Sequence, residues 1–152
     1  MSMPDSVRQA LAAARLYTDD QEYCLVHLPA RAITPAAALL AEIAAPFSAI
    51  IVDKDEVTLV LNALDFAEVA PRLRDHRVQP GYRLLTFDLP LDLGLIGFMS
   101  VVSQALAAQS IPLMAFSAFE RDHLLIPAQH FEAARQVLEA LRASAADESS
   151  SD

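Results

Sequence analysis

One order of secondary-structure patterns occurs twice in this chain of 152 residues, and this repeat constrains the fold more than any other feature. The residue pattern of each half predicts the order strand–helix–strand–strand–helix. The segment LVLNALDF at 59–66 parallels LLIPAQHF at 124–131, and Tyr23 of one opening strand aligns with Tyr82 of the other. A βαββα order places two helices on one face of an antiparallel sheet. We therefore expect an α+β fold of two tandem ferredoxin-like units, at 21–78 and 79–142.

The segments outside the repeat lie at the two ends of the chain. Residues 4–18 predict a helix, because Val7, Leu11 and Ala14 fall on one face. This N-terminal helix, assigned to 1–20, can cover an exposed sheet edge or face, or pack on a partner subunit. The C-terminal residues 143–152 are small, polar and acidic, so we expect a disordered tail.

Two further positions are predicted from local chemistry. Pro71 lies inside the predicted helix at 63–75, where proline removes a hydrogen bond, so we expect a kink or a restart there. Val78–Gly81 is predicted to be a turn that contains the boundary between the halves.

The composition favours a compact cytoplasmic protein and argues against nucleic-acid binding. The hydrophobic share is 54% and the net charge is −9. The one basic cluster, at 72–77, is short, and we interpret it as the cap of a helix C-terminus. The apolar run at 93–102 is too short to cross a membrane, and polar residues interrupt any signal-peptide core at the start.

Neither a cofactor nor catalysis is expected. Cys24 is the single cysteine, so an internal disulfide and a cysteine-based zinc site are excluded, and its apolar run favours a buried, inert thiol. His123 and His130 have no partner at metal-ligand spacing and are assigned to the surface or to a helix start. The sequence shows no paired carboxylates, no catalytic triad and no metal cluster.

The chemically distinctive stretch is the loop DLPLDLGLIG, which holds Gly94 and Gly97, two of the three glycines. The first copy has the glycine-free LPARAITP instead. A loop of this kind that opens onto a helix offers free N–H groups and the positive end of the helix dipole to a carboxylate. Alternatively, the glycines serve close helix packing or a positive φ, and loop length varies freely on surfaces.

This later half resembles the ACT-domain branch found in CASTOR-type arginine sensors and in many small bacterial proteins. The first half resembles it only in topology. Matching positions at the loop and helix start are Pro90, Leu91, Asp92, Leu95, Gly97 and Phe98; those at the strand pair are Ser117, Ala118, Phe119, Asp122, Leu124 and Leu125. Ala118 departs from the hydroxyl residue that is common there.

The resemblance implies a βαββαβ unit that senses small molecules, mostly amino acids, at a unit–unit interface. The loop would be formed by Asp92, Gly94, Leu95, Ile96 and Gly97. Ser117 and Phe119 would line the facing strand end, and Asp122 would hold a ligand amine; Asp122 can equally be a solvated strand-start residue. The family's last strand is not visible after the final helix, so a swapped strand or the N-terminal segment would have to take its place.

Two hypotheses about function remain open. The first is a non-catalytic regulatory protein, a homodimer, that binds an amino acid or a similar small molecule and acts on an unknown effector protein. The second is a structural or protein-interaction module that has this fold and no ligand. Neither hypothesis involves nucleic acid, a membrane or a cofactor.

Overall fold

The computed structural model describes residues 2–149, and the chain divides into two compact units. The first unit comprises residues 21–82, and the second comprises the described residues before 21 and after 82. In chain order the elements are α1 (Asp5–Ala13), β1 (Leu16–Tyr17), β2 (Glu22–Pro29), α2 (Ile33–Ile43), β3 (Ala49–Val52), β4 (Glu56–Asn62), α3 (Ala63–Val69), β5 (Arg77–Phe87), α4 (Phe98–Ala107), β6 (Met114–Ser117), β7 (Asp122–Pro127) and α5 (Phe131–Ser149). Short 3₁₀ turns at Ala30–Ala32, Ala70–Arg72 and Ala128–His130 flank three of the helices.

The first unit has the ferredoxin-like order βαββαβ. Its strands lie in the order β3-β4-β2-β5, and β4 is antiparallel to both of its neighbours. Alternate side chains of β2 and β4 form a closed core with α2 and α3, as the period of two along a strand requires. The buried strand residues are Cys24, Val26, Leu28, Val57, Leu59 and Leu61.

The predicted break at Pro71 is confirmed. Asn62 is the N-cap of α3, and its side-chain oxygen accepts the N–H groups of Leu64 and Asp65 at 2.9 and 3.4 Å. The helix ends at Val69, and a 3₁₀ turn that contains Pro71 follows. Proline fits such a first-turn position because its missing N–H has no partner there in any case.

The second unit is completed by the N-terminal segment. Its sheet runs β5-β7-β6, and β1 pairs antiparallel with β5, with Leu16 opposite Phe87 and Tyr17 opposite Thr86. The Asp88 N–H donates to the Arg15 carbonyl at 2.8 Å and extends this pairing. Of the two candidates for the missing strand, the N-terminal segment is therefore the one that the structure contains.

α1 packs on α5, and the predicted apolar face carries this contact. Val7, Leu11 and Ala14 are fully buried in the core of the second unit. They share that core with Phe98, Val102, Leu106, Phe131, Ala134, Leu138 and Ala145. The N-terminal residues thus supply both a strand and a helix to this unit.

Three predictions were wrong, each for a structural reason. The helix predicted at 4–18 ends at Ala13, because residues 16–17 join the sheet. The turn predicted at Val78–Gly81 is part of β5, an edge strand of the first unit, where proline is tolerated. Residues 143–149 are helical rather than disordered, because α1 packs there: Ala145 is 1% exposed, and the Arg8 guanidinium lies 3.1 Å from the Glu148 carboxylate. Residues 150–152 of the expected tail lie outside the described residues.

The contact between α1 and α5 predicts a large cost for truncating Leu11. Leu11→Ala should lower the free energy of unfolding by about 2–5 kcal/mol, because a fully buried leucine leaves a cavity. Leu64→Ala is the matched control: Leu64 is also helical but 74% exposed, so its effect should stay within about 0.5 kcal/mol. Urea denaturation measures both values, and equal effects would contradict the packing described here.

Candidate ligand site

The loop after β5 is held in shape by the Asp92 carboxylate. Its Oδ1 accepts the Gly94 N–H at 2.6 Å, and the Leu95 N–H donates to the Asp92 carbonyl at 3.0 Å. A Cβ on residue 94 would lie 3.0 Å from that same Oδ1. A larger residue at 94 would therefore have to displace this carboxylate by a few tenths of an ångström.

Gly97 has a different requirement. It is the N-cap of α4 and has a φ of 92° and a ψ of 0°, in the left-handed region that favours glycine. A Cβ there would be no closer than 4.0 Å to Pro4 and Val7, so its backbone angle, rather than space, selects glycine. The positive φ turns the chain abruptly from the loop into α4.

A cleft begins at the amino end of α4 and runs along one side of the helix. The first N–H groups of a helix have no partner within the helix and carry its positive dipole end. The cleft has a volume of about 590 Å³ and is lined by Gly97, Ser100, Val101 and Gln104, which recur every three or four residues along α4, and by Met3 and Pro4. The Ser100 hydroxyl accepts a hydrogen bond from the Gln104 amide at 3.1 Å, so polar side chains are available beside the free amides.

Two contacts attach this loop to the turn between β6 and β7. The Leu91 N–H donates to the Glu120 carbonyl at 2.6 Å, and the Arg121 guanidinium lies 3.2 Å from the Asp88 carboxylate. The Ala118 N–H closes the turn by donating to the Arg121 carbonyl at 2.8 Å. The loop and the turn therefore occupy the same end of the second unit.

The predicted site residues fall into two groups at this end. Asp92, Gly94, Leu95 and Ile96 lie in the tethered loop, and Gly97 alone among the predicted residues is found in the described lining of the cleft. Ser117 and Asp122 are cross-strand partners where β6 and β7 meet the turn, and Phe119 lies at its tip. The structure joins the two groups through the Leu91–Glu120 hydrogen bond but does not place the second group on the cleft.

Large apolar side chains at this end are exposed. The exposed fraction is 72% for Leu93, 83% for Ile96 and 77% for Phe119. Sequence reasoning included Ile96 and Phe119 but missed Leu93. An apolar residue between Asp92 and Gly94, inside a tight turn, was the available signal, because a turn gives a side chain little to pack against.

His123 was assigned to the surface, but it is partly buried and follows Asp122 in β7. Its Nδ1 lies 2.8 Å from the hydroxyl of Thr86, the buried polar residue of β5. Burial lowers the pKa of His123 below its ordinary value of 6.5, against the opposing effect of the Asp122 carboxylate. A hydrogen-bonded pair therefore joins β5 to β7 near the site.

This burial predicts a pH dependence. Because the pKa of His123 is lower in the folded chain, the unfolded chain takes up a proton at a higher pH than the folded chain does. The contribution of His123 to the free energy of unfolding is therefore fully present above pH 6.5. It is lost as the pH drops through the lowered pKa. His123→Gln should reduce the loss in unfolding free energy between about pH 7.5 and about pH 5.5. Urea denaturation at both pH values tests this, and an unchanged loss in the variant would contradict it.

Part of the second unit matches a known family model. Residues 77–140 match the family model described as an ACT domain, and this segment contains every predicted site residue. The sequence matches no curated protein.

Within the described residues, 2–149, no group of three or more His, Cys, Asp or Glu side chains is placed to hold a metal ion, and no helix is long and apolar enough to span a membrane.

Solved structures share the fold at low sequence identity. A protein from Agobacterium tumefaciens is 24% identical, with a TM-score of 0.68 over 85% of this chain and 89% of that chain. A Vibrio cholerae protein of unknown function, described as a possible transport protein, is 16% identical, with a TM-score of 0.64 over 87% and 93%. The regulatory subunit of aspartate kinase from Thermus thermophilus is 17% identical, with a TM-score of 0.59 over 84% and 97%. The fold is thus the ferredoxin-like fold of ACT regulatory domains.

Proposed function

We propose that this chain is a non-catalytic regulatory protein of the cytoplasm that binds an α-amino acid at the end of the second unit. The hydrogen bond from Leu91 to Glu120 is the observation that carries the proposal, since it attaches the glycine-bearing loop to the turn that precedes Asp122. The ACT family match over 77–140 and the likeness to the aspartate kinase regulatory subunit support a regulatory role.

The ligand carboxylate would bind at the amino end of α4. Free N–H groups and the positive dipole end favour an anion there, and Gly97 provides no side-chain cap that would compete for them. The adjoining cleft has about 590 Å³, within the range of small-molecule sites. Ser100 and Gln104 would add hydrogen bonds from its wall.

The ligand ammonium would bind at Asp122. The nearer carboxylate, Asp92, already accepts a hydrogen bond from the Gly94 backbone and shapes the loop. Asp122 begins β7, next to the turn that the loop contacts. A charge-assisted hydrogen bond to a carboxylate is the strongest kind available to an ammonium group. Two opposite charges at a fixed separation would select an α-amino acid.

A second copy of the chain would cover this end. Leu93, Ile96 and Phe119 together expose an unusual amount of apolar surface in one pair of connected loops. A symmetric homodimer would bury this surface beside the site that the loop and the turn of one copy form together.

The same exposed residues favour one alternative. In a protein-interaction module without a ligand, Leu93, Ile96 and Phe119 would contact an effector protein instead of a second copy. The two functions differ in whether a free amino acid changes the stability of the isolated protein.

A thermal-shift screen against the twenty amino acids tests the proposal. At least one amino acid should raise the unfolding midpoint of the wild-type protein by mass action. Asp122→Asn should weaken that binding about tenfold or more, since it removes a charged partner. The charge-matched control Asp55→Asn lies on an exposed turn of the first unit and should bind normally. An absence of any shift at millimolar amino acid would reject the sensor and favour the interaction module.

The dimer is tested separately by sedimentation equilibrium. The double variant Ile96→Ser, Phe119→Ser should sediment as a monomer where the wild type sediments as a dimer, because the exposed apolar contact area is lost. Leu64→Ser removes an equally exposed leucine in α3 and should leave the dimer intact. A monomeric wild type, or a dimer that persists in the double variant, would contradict this arrangement.

A further inference from the structure

The first unit contains a basic cleft that the proposed function does not use. It has a volume of about 470 Å³ and lies where the 3₁₀ turn Ala30–Ala32 opens onto α2. Three arginines line it, Arg31, Arg72 and Arg74, against one acidic residue, Asp75. This excess of positive charge occurs in a chain whose net charge is −9.

Ion pairs hold two of the three arginines in place. Arg31 contacts the Asp75 carboxylate at 2.7 Å, and Arg72 contacts Glu42 of α2 at 2.9 Å. Arg72 lies at the carboxyl end of the helical segment formed by α3 and its 3₁₀ turn, as predicted for the basic cluster, and its guanidinium also binds the neighbouring helix. Asp75 itself has a φ of 57°, a left-handed conformation that aspartate tolerates better than most residues. These pairs connect the two walls of the cleft.

Arg74 differs from the other two. Within the described part of the chain it has no hydrogen bond and no ion pair, although it lines the cleft and is exposed. A guanidinium presents up to five N–H donors in a planar fork that matches the oxygens of a phosphate or a carboxylate. Arg74 is therefore a cation with all of its donors available to a ligand.

The rest of the lining is apolar. Leu28 and Leu73 are buried at the base, and Pro29, Ala32 and Pro35 form part of the wall. Ala32 and Pro35 also mark the first turn of α2, so the positive end of its dipole adds to the charge of the arginines. A few polar groups on a mostly apolar surface are typical of small-molecule sites.

We infer that this cleft binds a small organic anion that has a phosphate or a pair of carboxylates at one end and a compact apolar body. Arg74 holds the anionic group, with Arg31 and Arg72 beside it, and the apolar body lies on Leu28 and Leu73. This site is separate from the proposed amino-acid site, because every residue that carries it belongs to the first unit. The anion site and the amino-acid site can therefore succeed or fail independently.

Isothermal titration calorimetry of the full chain tests the inference. Phenyl phosphate probes the phosphate head and phthalate the paired carboxylates, and benzyl alcohol is the uncharged comparison. At least one of the two anions should bind saturably, while benzyl alcohol should not. Saturation by phenyl phosphate alone would identify a phosphate ligand, and saturation by phthalate alone would identify a carboxylate ligand.

Arg74→Gln should weaken the binding of that anion about tenfold or more, because a charge-assisted hydrogen bond is lost. Its unfolding midpoint should match the wild type, since Arg74 is exposed and has no hydrogen bond or ion pair within the described residues. Arg77→Gln is the matched control: Arg77 is also exposed, lies three positions along the chain, and lines a different cleft. Equal weakening in both variants would show general charge attraction and overturn the inference, as would the failure of both anions to bind at millimolar concentration.

Discussion

The pairing of β1 with β5 is the contact on which the second unit depends. A βαββα segment alone leaves β5 without a neighbour on one side, with its backbone donors and acceptors unpaired. Leu16 and Tyr17 fill that position, and α1 then returns over α5 with Val7 and Leu11 fully buried. The N-terminal segment thereby occupies the sheet position that the last strand occupies in the family that the second half of the chain resembles. The glycine-bearing loop follows directly from the strand end that this pairing fixes, since Asp88 bonds to Arg15.

The order of the strands and helices could largely be predicted from the sequence, because the spacing of apolar residues indicates which face of an element is buried. The face predicted for α1, with Val7, Leu11 and Ala14, is the one that is buried in the structure. The two-residue strand β1 could not be predicted, since two residues have no measurable period. The helical end of α5 was also missed, because residues 143–149 have a polar composition and are ordered by α1 rather than by local preference.

The candidate site was also predicted only in part, because residue types indicate local constraints but not tertiary contacts. Glycine positions mark backbone constraints, and Gly97 has one in its positive φ, while Gly94 lies against the Asp92 carboxylate. The connection between Leu91 and Glu120 joins main-chain atoms, so no residue type signals it. For the basic cluster at 72–77, the sequence indicated the charge but not the contacts. Its composition was evident, but the ion pair between Asp75, which lies within this segment, and Arg31 of the distant β2–α2 connection depends on tertiary structure.

The central claim is that an amino acid binds where the loop before α4 meets the turn before β7. Amide NMR spectra recorded during titration with the twenty amino acids test it most directly. We predict that one of them shifts the amide signals at the start of α4, Phe98–Ser100, together with those of Asp122 and its neighbours, and leaves those of the first unit in place. Shifts confined to other regions, or no shifts at saturating concentration, would contradict the account.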